Sequence, residues 1–253
     1  MLKEKARKKI TKIITVTSGK GGVGKTNIVS NLAIAIQKKG LRVLIIDADL
    51  GLSNIDVLLN LAPKYNFRHV INGEKTIQDI VIDGPYGIKI LPASSGVQEL
   101  TVIDKFQKTK IIEVIESLKG DVDVLIIDTG AGISENVTFF CLAAQEIVIV
   151  TSPEPTAITD AYALIKVLST KYQKTRFNVL VNSVKNNEEA SDIFKRFSRA
   201  TERFLKIIPN YLGFIPYDES VQKATKKQMA FVDLFPKCLA SKEILNVASK
   251  LQS

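Results

Sequence analysis

Seven short apolar runs constrain what this chain can fold into. They are Ile13–Thr17, Val43–Ile46, Ile88–Leu91, Val122–Ile127, Ile147–Val150, Phe177–Val181 and Tyr211–Ile215. Several lack the apolar–polar alternation of a half-exposed strand, which means burial on both faces. Segments with helical spacing separate most of them; Asn27 to Lys39 carries Ile28, Leu32, Ala35 and Ile36 on one face and is stopped by Gly40. The pattern predicts an α/β fold: a doubly wound, mostly parallel sheet with helices on both faces. Ligands of such sheets sit at the carboxyl ends of strands, and Asp47, Asp128 and Asn182 are expected to end strands there.

The length, 253 residues, suits a single domain over 1–253, with a short basic segment at 1–11 and a C-terminal helix at about 236–251. No internal repeat or linker is visible. The longest irregular region, Gly51 to Pro63, reads as a loop or short helix. Two cysteines, Cys141 and Cys238, form no Cys-x-x-Cys pair, and His69 is the single histidine. That excludes a disulfide framework, the usual zinc and iron–sulfur spacings, and a histidine-based triad. No run approaches 18 apolar residues, and the basic start leads into no signal peptide, so the cytoplasm is expected. Lys and Arg outnumber Asp and Glu by 35 to 26, a net charge of +9 that favours anionic partners.

One segment carries specific chemistry. Gly19-Lys20-Gly21-Gly22-Val23-Gly24-Lys25-Thr26 fits G-x-x-x-x-G-K-[ST] and lies between a predicted strand and a predicted helix opening at Asn27. The glycines let backbone amides turn inward around phosphate oxygens, and the helix adds its positive end. Lys25 is placed to reach β- and γ-phosphates, and Thr26 to ligate Mg²⁺. Lys20 is additional, since an ordinary phosphate loop requires no lysine there.

Carboxylates follow the next strands. Asp47-Ala48-Asp49 ends the second, with Asn54 and Asp56 shortly after. Asp128-Thr129-Gly130-Ala131-Gly132 ends the fourth. Such groups hold Mg²⁺, directly or through water, or orient an attacking water; equally, Asp favours caps and turns. Asn182 offers an amide that matches a base edge, and Pro216-Tyr217-Asp218 follows the seventh strand; turn formation explains both equally well.

The run Lys20 to Thr26 resembles the deviant phosphate loop of the MinD/ParA ATPases, and the resemblance extends from Lys12 to about Asp233. It implies ATP and Mg²⁺ as ligands and a homodimer in the ATP state, with Lys20 crossing to the phosphates of the other subunit. It implies that Lys20, Lys25 and Asp49 are catalytic, Asp49 positioning the hydrolytic water. Thr26, Asp47 and Asp128 form the magnesium shell. Gly19 through Asn27 bind the nucleotide, with Asn182, Pro216 and Asp218 at the base. Asn54 and Asp56 fall in the same switch segment as Asp49. The stretches Asp47–Leu59, Leu91–Gly96, Asp128–Ser134 and Pro153–Lys166 narrow the resemblance to FlhG (FleN, YlxH), MinD-like ATPases that control flagellar number and placement. Asp160 matches an aspartate near the dimer interface. The resemblance implies slow turnover and, as partners, the GTPase FlhF and basal-body or C-ring components.

The chain departs from that pattern in two places. FlhG proteins carry an N-terminal Asp-Gln-Ala motif that stimulates FlhF; eleven residues precede the first strand here and lack it, which leaves stimulation open. MinD-like proteins end in a basic amphipathic helix that meets the inner face of the membrane. Here Ala240, Ile244, Val247 and Leu251 form a stripe without an aromatic residue, a pattern that favours packing on the core. A second amphipathic stretch, Ser191 to Ile207, places Ile193, Phe197, Ala200 and Phe204 on one face and basic residues on others; it suits contact with membrane, a partner or nucleic acid, although the pattern more often marks a core face. The alternatives in function are a division-site ATPase of the MinD type, a DNA-partitioning ATPase of the ParA type, and a nucleotide-gated module that does not turn over. Nucleic acid is the less favoured partner.

Overall fold

The computed structural model describes residues 11–49, 54–93, 104–118 and 120–252. The basic segment up to residue 10, Leu50–Ser53 and Ser94–Gly96 of the stretches named above lie outside the described residues. One eight-stranded sheet organises the chain. Its strands are β1 (Lys12–Ser18), β2 (Val43–Ala48), β3 (Ile82–Asp83), β4 (Lys89–Leu91), β5 (Val124–Ala131), β6 (Glu146–Thr151), β7 (Asn178–Val184) and β8 (Asn210–Pro216). Their order across the sheet is β3-β4-β2-β5-β1-β6-β7-β8. All neighbours are parallel except β3 and β4.

Successive strand residues face opposite layers, and both layers are apolar. Ile14, Val16, Ile45, Ile126, Val148 and Leu180 pack towards α1 (Lys25–Gln37), α10 (Phe231–Leu234) and α11 (Leu239–Lys250). Ile13, Leu44, Ile46, Leu125 and Ile127 pack the other way, on Phe67 of α3 (Phe67–Ile71) and Ile111 of α5 (Lys105–Ser117). On that second face, Ile147, Ile149, Val179 and Val181 meet α6 (Glu135–Ala143), α7 (Pro155–Tyr172) and α8 (Asn187–Leu205). Two-sided burial is why these runs lack alternation. Two short helices, α2 (Ile55–Leu58) and α4 (Ile77–Ile80), join different layers, Ile55 the α1 layer and Ile77 and Ile80 the α3–α5 layer, and α9 (Glu219–Lys226) follows β8.

Several boundaries differ from the sequence reading. Strand β3 was not foreseen, because its two residues pair only through the turn at Gly84. Asp47, Asp128 and Asn182 do not terminate their strands. Parallel pairing carries β2 to Ala48, β5 to Ala131 and β7 to Val184, because Ala48 finds Thr129, Ser18 finds Ala131, and Val184 finds Pro216. The C-terminal helix begins at Leu239 and not near 236; Pro236 restrains Phe235 from helical geometry and separates α10 from α11. The segment 51–63 contains helix α2.

The two amphipathic stretches resolve differently. Ala240, Ile244, Val247 and Leu251 are all buried, so the apolar stripe of α11 is spent on the core. In α8, Ile193 and Phe197 are buried but Phe204 is 65 % exposed, next to a groove formed with Pro153, Pro155, Ile158 and Tyr162. Among the described residues no helix is long and apolar enough to cross a membrane.

Candidate functional site

The loop after β1 turns on glycines. Gly22 and Gly24 have φ of 78° and 92°, the left-handed region that glycine enters freely. Gly24 is also the N-cap of α1 and supplies no side-chain cap, so the first amides of that helix stay open towards the loop. A Cβ on Gly19 would collide with the backbone of Asp160, and a Cβ on Gly24 with the Asn182 amide; none at Gly21 or Gly22 would meet any atom of the described residues within 4 Å. The loop is thus tight against the protein at its ends and open between them. Open amides at a helix N-terminus form an anion cradle.

Lys25 lies inside the site, 8 % exposed, and donates to Ser18 Oγ at 2.9 Å. Ser18 Oγ in turn donates to the Lys20 carbonyl at 2.7 Å. Burial pushes the Lys25 ammonium below its ordinary pKa, while Asp128 and Asp49 pull it back. Lys20 points elsewhere: its ammonium pairs with the Glu154 carboxylate and donates to Thr156 Oγ1 at 2.9 Å.

The acidic residues converge through sheet register. Asp47 and Asp128 are direct cross-strand partners in β2 and β5, and both are buried. Asp47 accepts from the Asp49 amide at 3.1 Å and the Asn54 amide at 3.4 Å, which folds the start of the switch segment back on the strand. Burial, and next the charge of Asp47, pushes the Asp128 carboxyl up to about 8, against the pull of Lys25 and the Thr26 hydroxyl. Asp128 Oδ1 is buried and finds no hydrogen-bond partner among the described residues. Asp49 faces Gly130, whose added Cβ would lie 3.5 Å from Asp49 Oδ1. The Gly132 amide donates to the Ser18 carbonyl at 2.9 Å, which ties the end of the Asp128 segment to the phosphate loop. Asp56 accepts from the amide of Val57.

Two adjoining cavities share Gly22, Gly24, Asn27 and Thr225. The first, about 490 Å³, is lined by Lys25, Thr26, Asp49, Asn54 and Ala131. The second, about 400 Å³, is lined by Val23, Ile28, Asn182, Pro216, Tyr217 and Asp218. The polar half matches a polyphosphate and the more apolar half a base. Asn182 holds the second cavity against the loop by donating from Nδ2 to the Val23 carbonyl at 2.7 Å. Asp218 also has a structural duty. It caps α9 at Ser220 and accepts from the Ala240 amide, bonds that outweigh its burial and hold its carboxyl below the ordinary range.

These residues suit a magnesium nucleotide. Among the described residues no group of three or more His, Cys, Asp or Glu side chains makes a protein-only metal cage. Mg²⁺ uses one or two carboxylates and takes its remaining ligands from water and phosphate. Adjacent buried carboxylates at Asp47 and Asp128, one oxygen lacking a partner, fit that donor set.

Comparison with known proteins agrees with this geometry. A ParA model, described as NUBPL iron-transfer P-loop NTPase, matches residues 9–252. The antiactivator FleN of Pseudomonas aeruginosa is 46% identical over 95% of this chain and 86% of its own. The chain belongs to the MinD/ParA family of P-loop ATPases. Within that family it is also 35% identical to the flagellum site-determining protein YlxH of Helicobacter pylori, over 96% of this chain and 82% of the relative. The septum site-determining protein MinD complexed with Mg-ADP from Pyrococcus horikoshii superposes with a TM-score of 0.81 at 26% identity, covering 96% of this chain and 97% of that one. The iron-transfer description finds no cysteine pair to support it here. Cys141 is buried in α6, where burial pushes its thiol up to about 12, and Cys238 is the N-cap of α11.

The sequence reading of this MinD/ParA ATPase missed several residues in and behind the cavities. Ser18 precedes the motif and orients Lys25. Val221, Gln222, Thr225 and Gln228 project from α9 and the turn after it, Thr225 donating to Asn27 and Gln228 to the Val57 carbonyl. The only sequence signal for them was helical spacing after Pro216. Glu154 and Thr156 lie in a stretch quoted for its resemblance, but their contact with Lys20 was not foreseen.

Proposed function

We propose that this ATPase is an ATP-dependent dimerising switch of the FlhG kind that controls the number or placement of flagella. The observation that carries the reading is the divergence of the two loop lysines. Lys25 is committed to its own cavity, whereas Lys20 stands at the surface, free of the phosphate cradle it belongs to. We read a second lysine with that placement as available to phosphates bound by another subunit, as the resemblance to the MinD/ParA ATPases implies. The flagellar assignment rests on likeness to FleN and YlxH.

In this reading ATP lies across the two cavities, phosphates against the loop amides and base beside Asn182 and Pro216. Lys25 neutralises the β- and γ-phosphates. Thr26, Asp47 and Asp128 would hold Mg²⁺, which supplies further positive charge to those oxygens. Asp49 orients a water for in-line attack on the γ-phosphorus, and the bond to the bridging oxygen breaks to give ADP and phosphate. Lys20 of each subunit stabilises the charge on the nucleotide held by the other. Loss of the γ-phosphate releases the segments at Asp49 and Gly130–Gly132, and the dimer opens. Turnover is slow, as befits a timer. The partners we propose are FlhF and basal-body or C-ring components. The site of action is the cytoplasm, with peripheral contact at the inner face of the membrane. With the α11 stripe in the core, such contact would use another surface.

Light scattering tests the switch, on Asp49→Ala protein without nucleotide, with ADP, and with ATP and Mg²⁺. A dimer only with ATP, lost in the Lys20→Ala background, is the expected result. A species that binds ATP but never changes size overturns it. A salt-sensitive affinity for duplex DNA would instead favour the ParA-type alternative, for which the +9 charge speaks.

A further inference from the structure

Lys20 is held by residues of its own chain. Its ammonium pairs with Glu154 and donates to Thr156 Oγ1, 2.9 Å away, so two of its three donors are used. Glu154 sits between Pro153 and Pro155, at the N-cap position of α7, yet its side chain makes no cap bond there. Proline at the first turn pre-sets the backbone, so the carboxylate is presented from a stiff corner. The Gly19 backbone packs directly on Asp160 of α7, which fixes the loop and the corner relative to each other. Both charges keep solvent access, with side-chain exposures of 37% for Lys20 and 64% for Glu154.

We propose that Glu154, with Thr156, is a latch that holds Lys20 within its own subunit until a triphosphate on the opposing subunit displaces it. The latch rests on the dimerising reading above and adds a regulatory residue to it. Without nucleotide, the carboxylate neutralises the lysine and the interface lacks its cross-subunit cation. A bound triphosphate offers more negative charge than one carboxylate and wins the ammonium. Glu154 thereby sharpens the dependence of closure on ATP. It is a positioning residue, since it acts through Lys20.

The size of the effect follows from exposure. A solvent-exposed pair changes an equilibrium by about 1.5- to 5-fold. Two latches open per dimer, so Glu154→Gln should tighten the ATP-bound dimer by about 2- to 25-fold. The test is sedimentation of the full chain in the Asp49→Ala background with ATP and Mg²⁺, with and without Glu154→Gln. The expected result is a lower dimer dissociation constant, an unchanged melting temperature, and a gap that narrows as salt rises. With Lys20→Ala added, the Glu154→Gln effect should vanish, which a purely structural role would not produce. If the Asp49→Ala chain dimerises but Glu154→Gln leaves the constant unchanged or weakens it, the latch is overturned alone. If the chain binds ATP and never dimerises, the proposed switch falls and the latch with it.

Discussion

Asn182 donates to the Val23 carbonyl at 2.7 Å and so joins β7 to the phosphate loop across 159 positions of sequence. The same amide occupies the space a Cβ on Gly24 would need. Ser183 next to it takes φ of 58°, and the β7–β8 register slips between Asn182 and Val184. The irregularity interrupts regular pairing beside the cavity that Asn182 and Ser183 line.

Asn182→Ala should therefore weaken nucleotide binding without unfolding the chain. Loss of one partly buried hydrogen bond costs about 0.5–1.5 kcal/mol of stability. Titration with a fluorescent ATP analogue should show a loss of about tenfold, and a thermal melt a drop of a few degrees. An unchanged affinity would remove Asn182 from the base site.

The loop glycines separate into two kinds. Gly19→Ala and Gly24→Ala meet the Asp160 backbone and the Asn182 amide, and Gly24 also needs positive φ. Each should lose about 1–3 kcal/mol and most nucleotide affinity. Gly21→Ala meets nothing within 4 Å among the described residues and should fold as the parent does. Melting curves for the three variants test the ordering.

Asp49→Ala should separate binding from turnover. Asp49 lines the cavity that holds Lys25 and Thr26, and its truncation leaves the Lys25–Ser18 bond in place. ATP affinity should stay within about threefold, while phosphate release falls by at least about a hundredfold. Equal loss of both would mean that Asp49 holds nucleotide and not water.

Asp128 makes the unliganded fold sensitive to pH. Its carboxyl is raised to about 8 from an ordinary 3.8. Between those values the folded chain keeps a proton that the unfolded chain has released. Stability contributed by this group is therefore full at the acid end and falls as pH rises through the window. Asp128→Asn should flatten the melting temperature between pH 5 and 8 and raise stability at pH 8 by about 1–3 kcal/mol. In the proposed magnesium shell, Asp128→Asn should also diminish any gain in nucleotide affinity that Mg²⁺ brings. A variant whose melting temperature still falls with pH in the same way would place that titration elsewhere.

Local pattern alone determined a large part of this protein. The strand runs lacked alternation because both sheet faces are covered, and glycine spacing with Lys25 and Thr26 marked the phosphate loop. Periods of 2 and 3.6 residues and the φ demands of a tight loop are properties of neighbouring residues, so they are legible along the chain. Residues distant in sequence met only through the strand order β2-β5-β1-β6-β7. That order set Asp47 beside Asp128, brought Asn182 to Val23, and laid the first turn of α7 against Lys20. It also sent the α11 stripe into the core and left Phe204 of α8 outside, although both helices carry the same kind of apolar face. An amphipathic pattern says that a face needs cover. Which element covers it, and which side chain is left to solvent, depends on how the layers stack, and only the tertiary structure decides that.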